Sequence, residues 1–319
     1  MQIVALFSRS VWFDAPNKVS IRDEEICEID EKVIVKSLFS GISLGTESLV
    51  LNGKVPQEIT RQMKLKYQQG DFSFPIKYGY SLVGKVISEG KYTGEIVHIL
   101  HPHQTHAVVE KHDIFLINRS IPLPRVALIS NMETAVNAIW DAKPLLGDKI
   151  AVVGFGLIGS LIARILKEIQ GYEVWIDDIS PVKQKLAGQM GFNLIGDHDG
   201  SFDIVFHSSG DYRGLQKSIK LAGKEAKIIE LSWYGAKRGN IELGTEFHYR
   251  RHKIISSQVS TVAYHRKDIE ERKQICLDLL KNDCFDDHIT KIVPFNEVKQ
   301  VYKHIDAIRK TDLGVVIQY

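Results

Sequence analysis

Gly154, Gly156 and Gly159 stand in the spacing G-x-G-x-x-G, and Asp178 follows nineteen positions after the last of them. Residue types in that order suit one task, the holding of a dinucleotide. The first glycine permits a tight turn. The second lets backbone approach a pyrophosphate, and the third lets a helix pack on a strand. Phe155, Leu157 and Ile158 fill the positions between them, and N–H groups at a helix start would face the anion. Asp178 is placed to accept hydrogen bonds from a ribose. A second chemical group is the string ILHPHQTH at 99–106, with His101, His103 and His106. Imidazoles titrate near neutrality and can give and recover a proton. Three readings of them stand open. His103 or His101 donates to a substrate oxygen; H-x-H holds a metal ion; or these side chains are partly exposed or satisfy backbone groups at a strand end.

The elements around these residues have readable periods. Ile150–Val153 is a continuous apolar run, expected of a strand buried on both faces. Leu161, Ile162, Ile165, Leu166 and Ile169 carry helical spacing, and a second strand runs from Glu173 to Ile176. Asp203–His207 and Lys227–Leu231 read as further buried strands, with a helix over Arg213–Leu221. Such alternation predicts a parallel sheet with helices on both faces. Residues 1–120 differ. They hold β-branched runs at Lys32–Ser37, Leu82–Ser88, Glu95–Leu100 and Ala107–Val109, and the N-terminal string MQIVALFSRSVWF reads as a strand. A twisted, mostly antiparallel β domain is expected there. Arg61–Gln69 suits a short helix or loop, and a helical pattern begins at Val126. A helix over Ile269–Leu280, a strand at Lys291–Val293, a helix over Glu297–Ile305 and a strand at Gly314–Gln318 complete the chain.

Bulk properties narrow the class. The chain has 319 residues and a formal net charge of +2, which predicts two domains and gives no broad electrostatic footprint for nucleic acid. No apolar run approaches the ~20 residues that span a bilayer, and no signal-peptide pattern opens the sequence. Neither nucleic acid nor membrane is expected as a partner, and the cytoplasm is the expected location. Cys27, Cys276 and Cys284 form no CxxC pair, so neither a disulfide framework nor a structural zinc site is expected.

The layout resembles the medium-chain dehydrogenase/reductase superfamily, the fold of alcohol dehydrogenases and quinone reductases. The strings that carry the resemblance are SGISLGTES at 40–48, FPIKYGYSLVGKVISEG at 74–90, residues 131–140, and ITKIVPFNEVKQVYKHI near the end. Length and the S-G-I-S-x-G-T-E string are most similar to a zinc-lacking subgroup that includes bacteriochlorophyllide a dehydrogenase. The resemblance implies an α/β architecture: a Rossmann doubly wound parallel sheet at 125–261, plus a β-rich GroES-like substrate domain from 1–124 and 262–319. Substrate and nicotinamide would meet in the cleft between them.

Carried over position by position, the resemblance implies that Thr134 contacts the nicotinamide, that Ser209 and Gly210 approach the cofactor ribose, and that Leu231 and Ser232 border the nicotinamide. Ser257 and Gln258 fall near the cleft wall. The departures are equally specific. Where the zinc enzymes have their ligands stand Ser43, Tyr80, Ser81 and, for the later Cys or Glu, Ser130. Hydroxyls and a phenol are poor zinc ligands beside thiolate, imidazole and carboxylate. The usual proton-relaying hydroxyl has become Gly45, with Thr46 adjacent. Without a Lewis acid, hydride transfer needs another donor at the substrate oxygen. His103, Tyr80 and Thr46 are the candidates, with no metal. Glu133 suits an interior pair or a base, and Phe247, His248, Arg250 and Arg251 suit an anion site or a solvated turn.

The expected activity is an NAD(P)-dependent, zinc-independent oxidoreductase acting on a small-molecule alcohol or ketone. Asp178 favours NAD over NADP. Reduction of an activated C=C bond and a non-catalytic cofactor-binding role are the alternatives, and a homodimer is compatible with the sequence.

Overall fold

The computed structural model describes residues 6–27, 29, 31–196, 201–262 and 268–319; the first five residues of the expected N-terminal strand lie outside these. In chain order the first strands are β1 Leu6–Ala15, β2 Lys18–Ile26, β3 Lys32–Ile42, β4 Ile76–Lys77, β5 Leu82–Val86, β6 Ile96–Ile99, β7 His106–Glu110 and β8 Phe115–Leu116. Then come β9 Lys149–Val153, β10 Glu173–Asp177, β11 Asn193–Leu194, β12 Phe202–His207, β13 Ala222–Glu230 and β14 Lys253–Ser256. The last two are β15 Ile289–Pro294 and β16 Gly314–Gln318. Backbone contacts divide the chain into two units. One is Met1–Ser130 with Ile289–Ile308 and Gly314–Tyr319; the other is Asn131–His288 with Arg309–Leu313.

The first unit is β-rich. β2, β1 and β4 form one sheet in that order, and β15-β16-β3-β5-β6-β8 forms another, with β7 also paired to β3. All pairs are antiparallel except β15 with β16. β3 runs KVIVKSLFSGI and buries Val33, Ile34 and Val35 while Lys36 stays exposed. The core gathers Val11, Phe13, Ile42 and Leu44 with Tyr302, Val315 and Ile317 from the end of the chain. The helix Leu44–Leu51 leaves β3 with Ser43 at its N-cap.

The second unit is the doubly wound α/β layer that the alternating pattern predicts. Its six strands lie in the order β11-β10-β9-β12-β13-β14, and every pair is parallel. The order turns back between β9 and β12, and in such sheets ligands bind outside the carboxyl ends of the strands at that reversal. The helix Leu157–Lys167 buries Leu161, Ile162, Ile165 and Leu166, the residues whose spacing predicts it.

Boundaries differ from expectation at the C-terminal side. The helix Ile269–Leu279 groups with the second unit, whereas the sequence attaches 262–319 to the first. A polar tie supplies the reason: Arg272 Nη1 donates to Asn137 Oδ1 at 2.8 Å, and its Nη2 lies 3.4 Å from Glu133 Oε1. Glu133 is thus an interior pair partner, and burial pushes its carboxyl up against the pull of Lys273 and Arg272. Among the described residues no helix is long and apolar enough to cross a membrane.

Candidate functional site

In the second unit the glycine string joins β9 to the helix Leu157–Lys167. Gly154 has φ +101°, and a Cβ there would lie 2.7 Å from Ser209 Cα. A Cβ on Gly159 would meet the Gly154 carbonyl oxygen at 2.0 Å. Gly156 is different: only Lys183 Nζ, at 3.8 Å, lies within reach of its Cβ position. The loop is therefore tight at its first and third glycines and open at its second. That opening lies at a helix N-terminus beside a lysine ammonium, a setting that fits a phosphate anion. Lys183 is buried, which pushes its pKa down while Asp178 pulls it up.

Asp178 completes this side. Its Oδ2 accepts the Phe155 N–H at 2.7 Å and its Oδ1 accepts the Ser180 N–H at 2.8 Å. Asp177 is engaged elsewhere, by Lys217 Nζ at 2.5 Å, so Asp178 is the acid at the loop. The ends of β12 and β13 abut the loop. Ser208 Oγ donates to the Gly154 carbonyl at 2.8 Å, and the Gly210 N–H donates to Ser232 Oγ at 3.1 Å. The Leu231 N–H donates to the His207 carbonyl at 3.0 Å. Buried His207 bridges Ser209 Oγ at 2.7 Å and Glu230 Oε2 at 2.8 Å. Tyr234 donates to the same carboxylate at 2.9 Å and stacks on Tyr212 with ring centroids 4.2 Å apart. Phe155 turns its ring into the core, and Leu157 and Ile158 are half-buried in the first turn of the helix. Thr134 is half-buried on the helix Ile129–Ala142. Ser257 continues the β13–β14 ladder by donating its N–H to the Glu230 carbonyl at 2.9 Å, and Gln258 accepts from Ser260 at 2.5 Å.

In the first unit Tyr80, Ser43 and Thr46 come together. The side chains of Ser43 and Thr46 lie beside the phenol of half-buried Tyr80. Burial pushes it up to about 12, against the pull of those two side chains, so it stays protonated at neutral pH. Thr46 is half-buried, and a Cβ on neighbouring Gly45 would meet nothing within 4 Å. The first turn of this helix therefore borders open space.

His103 is placed otherwise than expected. It is fully buried, with Nδ1 2.8 Å from Ser40 Oγ and Nε2 3.2 Å from Glu47 Oε2. Both ring nitrogens are engaged within the fold, so the imidazole is not presented to a substrate. His101 sits apart, its Nδ1 2.9 Å from the Pro102 carbonyl and its ring 5.1 Å from that of Tyr67. Burial pushes its pKa down to about 4. His106 lies on β7. The three histidines do not converge.

Two of the positions where the zinc enzymes have their ligands hold hydroxyls already in use. Ser81 Oγ donates to the Ala127 carbonyl at 2.8 Å, and Ser130 Oγ donates to the Tyr80 carbonyl at 2.9 Å. Both also lie beside His98 Nε2, at 3.2 and 3.3 Å. A donor set of three serines and a tyrosine does not fit zinc. Among the described residues no group of three or more His, Cys, Asp or Glu could hold a metal ion. Arg250 and Arg251 likewise have protein partners, the Ala222 carbonyl at 2.9 Å and Glu225 at 3.5 Å.

Several of these residues escape a reading of the sequence. Lys183, His207 and Glu230 carry no spacing signal. Glu47 stands in the string GTE, but its partners Tyr302 and His103 lie 255 and 56 positions away.

No family model matches the chain. It is 22% identical over 139 residues to 2-dehydro-3-deoxy-L-galactonate 5-dehydrogenase of Pseudoalteromonas atlantica, covering 40% of each chain. It is 25% identical over 122 residues to L-idonate 5-dehydrogenase (NAD(P)(+)) of Escherichia coli, covering 35% of this chain and 36% of that protein. The match thus spans well under two thirds of these relatives. Solved structures align over nearly the whole chain. One is a short chain alcohol dehydrogenase of Escherichia coli complexed with NADH, with TM-score 0.78, 17% identity and coverage of 98% and 99%. Another, from Sinorhizobium meliloti, is described as a zinc-binding dehydrogenase bound to NADP, with TM-score 0.77, 15% identity and coverage of 98% and 100%. The chain shares the fold of these solved dehydrogenases.

Proposed function

We propose that this chain is an NAD(P)-dependent oxidoreductase that moves hydride between nicotinamide and a small-molecule alcohol or ketone, without zinc. The observation that carries the cofactor assignment is the glycine loop. It is closed by packing at Gly154 and Gly159 and open at Gly156 toward Lys183, with Asp178 at its edge. The bound nicotinamide would supply or accept the hydride. Lys183 and the first N–H groups of the helix would hold the phosphates, Asp178 the ribose hydroxyls, and Ser209, Gly210, Leu231, Ser232 and Thr134 the remainder. The relatives named for sugar-acid dehydrogenation favour alcohol and ketone chemistry over reduction of a C=C bond.

Tyr80 would do the work of the missing Lewis acid. The side chains of Ser43 and Thr46 lie beside its hydroxyl, and its proton would be offered to the substrate oxygen as negative charge develops there. With a phenol pushed up to about 12, it acts as a hydrogen-bond donor rather than a base. Buried His103 supports this corner from within. The test is turnover of NAD(H) and NADP(H) over a panel of polyols, sugar acids and their keto forms, followed by absorbance of the reduced nicotinamide. With the best substrate, Tyr80→Phe should lower kcat on the order of 10²-fold, as for loss of one oxyanion donor, and leave cofactor affinity unchanged. Tight cofactor binding with no turnover on any member of the panel would favour a non-catalytic binder.

A further inference from the structure

We propose that Glu47, which is fully buried, is the positioning residue for Tyr80, acting through a buried pair with His103 that pins both the turn holding Ser43 and Thr46 and the segment that leads into Tyr80. This inference rests on the role given to Tyr80 above. Glu47 and His103 are both fully buried. The carboxylate is met from three directions. Its Oε1 accepts the Ser43 N–H at 2.8 Å, its Oε2 accepts the Tyr302 phenol at 2.6 Å, and His103 Nε2 lies 3.2 Å from Oε2. The Glu47 N–H donates to the Ser43 carbonyl at 2.8 Å, so backbone and carboxylate together close residues 43–47 into one turn. Ser43 and Thr46, the two residues whose side chains lie beside the Tyr80 hydroxyl, are both inside that closed turn.

The other segment is held by the imidazole. Gly79 has φ +130°, and a Cβ there would stand 2.7 Å from His103 Cδ2 and 2.8 Å from its Nε2. The backbone immediately before Tyr80 therefore lies against the His103 ring, and only glycine permits that approach. The His103 N–H also points at the Tyr78 carbonyl, at 3.4 Å. The ring is itself fixed on its far side, since Nδ1 lies 2.8 Å from Ser40 Oγ, which lies 2.8 Å from the Tyr319 phenol. One carboxylate–imidazole contact thus joins the turn that carries Ser43 and Thr46 to the connection between β4 and β5 that carries Tyr80.

Stability alone does not account for this choice of residues. A buried ion pair is often no more stabilising than apolar side chains of the same shape. What a carboxylate adds is direction, because each oxygen accepts along fixed lines and a misplaced donor is left unpaired. Directional anchoring is what a donor aimed at a developing charge requires, and small misplacement at such a site is costly in rate.

The test is a double-mutant cycle with a spectroscopic reporter. Glu47→Gln keeps the shape but leaves one oxygen where two met three partner groups. Its kcat should fall roughly 10-fold or more, the cost of disturbing a supporting hydrogen bond, while dinucleotide affinity stays within about twofold. The same change in a Tyr80→Phe background should cost nothing further, since residues acting as a unit are non-additive. With 3-fluorotyrosine at position 80, Glu47→Gln should shift or broaden the fluorine resonance. Additive kcat losses, or an unchanged fluorine signal in a folded Glu47→Gln protein, would overturn the inference. Tyr302→Phe removes a single donor from the same carboxylate and gives the same readouts if Glu47→Gln does not fold. Should Tyr80→Phe alone leave kcat intact, the catalytic role of Tyr80 fails, and the fluorine signal still decides whether Glu47 positions it.

Discussion

The carboxylate of Asp178 accepts the backbone N–H of Phe155 at 2.7 Å, so the acid that follows β10 closes the turn that follows β9. Its other oxygen takes the N–H of Ser180. A carboxylate offers about four acceptor positions, and two are spent on backbone. The remainder is what a ribose would use. Beside it Ile179 is 89% exposed, an apolar surface next to the acid.

Asp178→Ala should therefore weaken NAD binding by roughly 10- to 100-fold, the loss expected of hydrogen bonds to a charged group. NADP should be affected less, because its 2′-phosphate is repelled by the same carboxylate. Titration of both cofactors against wild type and variant, followed by calorimetry, checks this. Equal affinity for the two cofactors in both proteins would refute the assignment.

Purified protein should carry no stoichiometric zinc and should keep its turnover in chelator. The argument is the donor set: Ser81 and Ser130 spend their hydroxyls on the carbonyls of Ala127 and Tyr80, and Ser43 and Tyr80 offer only a hydroxyl and a phenol. One zinc per chain by elemental analysis, with activity lost on its removal, would contradict it.

Stability should fall in mild acid. Burial pushes both His101 and His288 down to about 4. The unfolded chain then binds protons that the folded one does not, below an ordinary histidine value of about 6.5. Stability from each is fully present above that value and is lost as pH falls toward 4. The loss is on the order of 3 kcal/mol apiece across the window. Melting temperature should drop steadily between pH 7 and pH 5, and His288→Gln should flatten the slope. A level profile in the wild-type protein would show that these groups are not buried neutral.

Much of the second unit was legible because its signals are local. The apolar run before Gly154, the helical spacing after Gly159 and the acid at Asp178 all fall within thirty residues, and each has one structural meaning. The first unit was harder to read at its site. The resemblance implies roles for Tyr80 and Thr46, whose side chains are neighbours. His103 looked like a donor because imidazole chemistry is visible in sequence while burial is not. Its partners Ser40, Glu47 and the neighbouring Gly79 come from three separate stretches of chain. Glu47 in turn needs Tyr302, which only the return of the chain from its far end supplies. The helix Ile269–Leu279 was assigned across the boundary for a similar reason, since the Arg272–Glu133 pair spans 139 positions.

Gly156 and Gly159 should respond oppositely to the same small change. Gly156 sits at the N-cap with φ −80° and ψ −174°, an extended backbone open to any residue. A methyl there would approach only Lys183 Nζ, at 3.8 Å. Gly156→Ala should fold, with stability lowered by no more than a few tenths to about 1 kcal/mol from the changed cap. It would nevertheless fill the space through which backbone approaches a phosphate, and dinucleotide affinity should fall at least 10-fold. Gly159→Ala should do the reverse. Its methyl would collide with the Gly154 carbonyl at 2.0 Å and with Ser208 Oγ at 2.7 Å, in a helix start that packs on β9. Forcing atoms into such a contact typically costs about 1–3 kcal/mol or more, so this variant should melt well below wild type. Thermal melts with and without cofactor separate the two cases. A Gly156→Ala protein that binds dinucleotide like wild type would remove the loop from the binding site, whatever its stability.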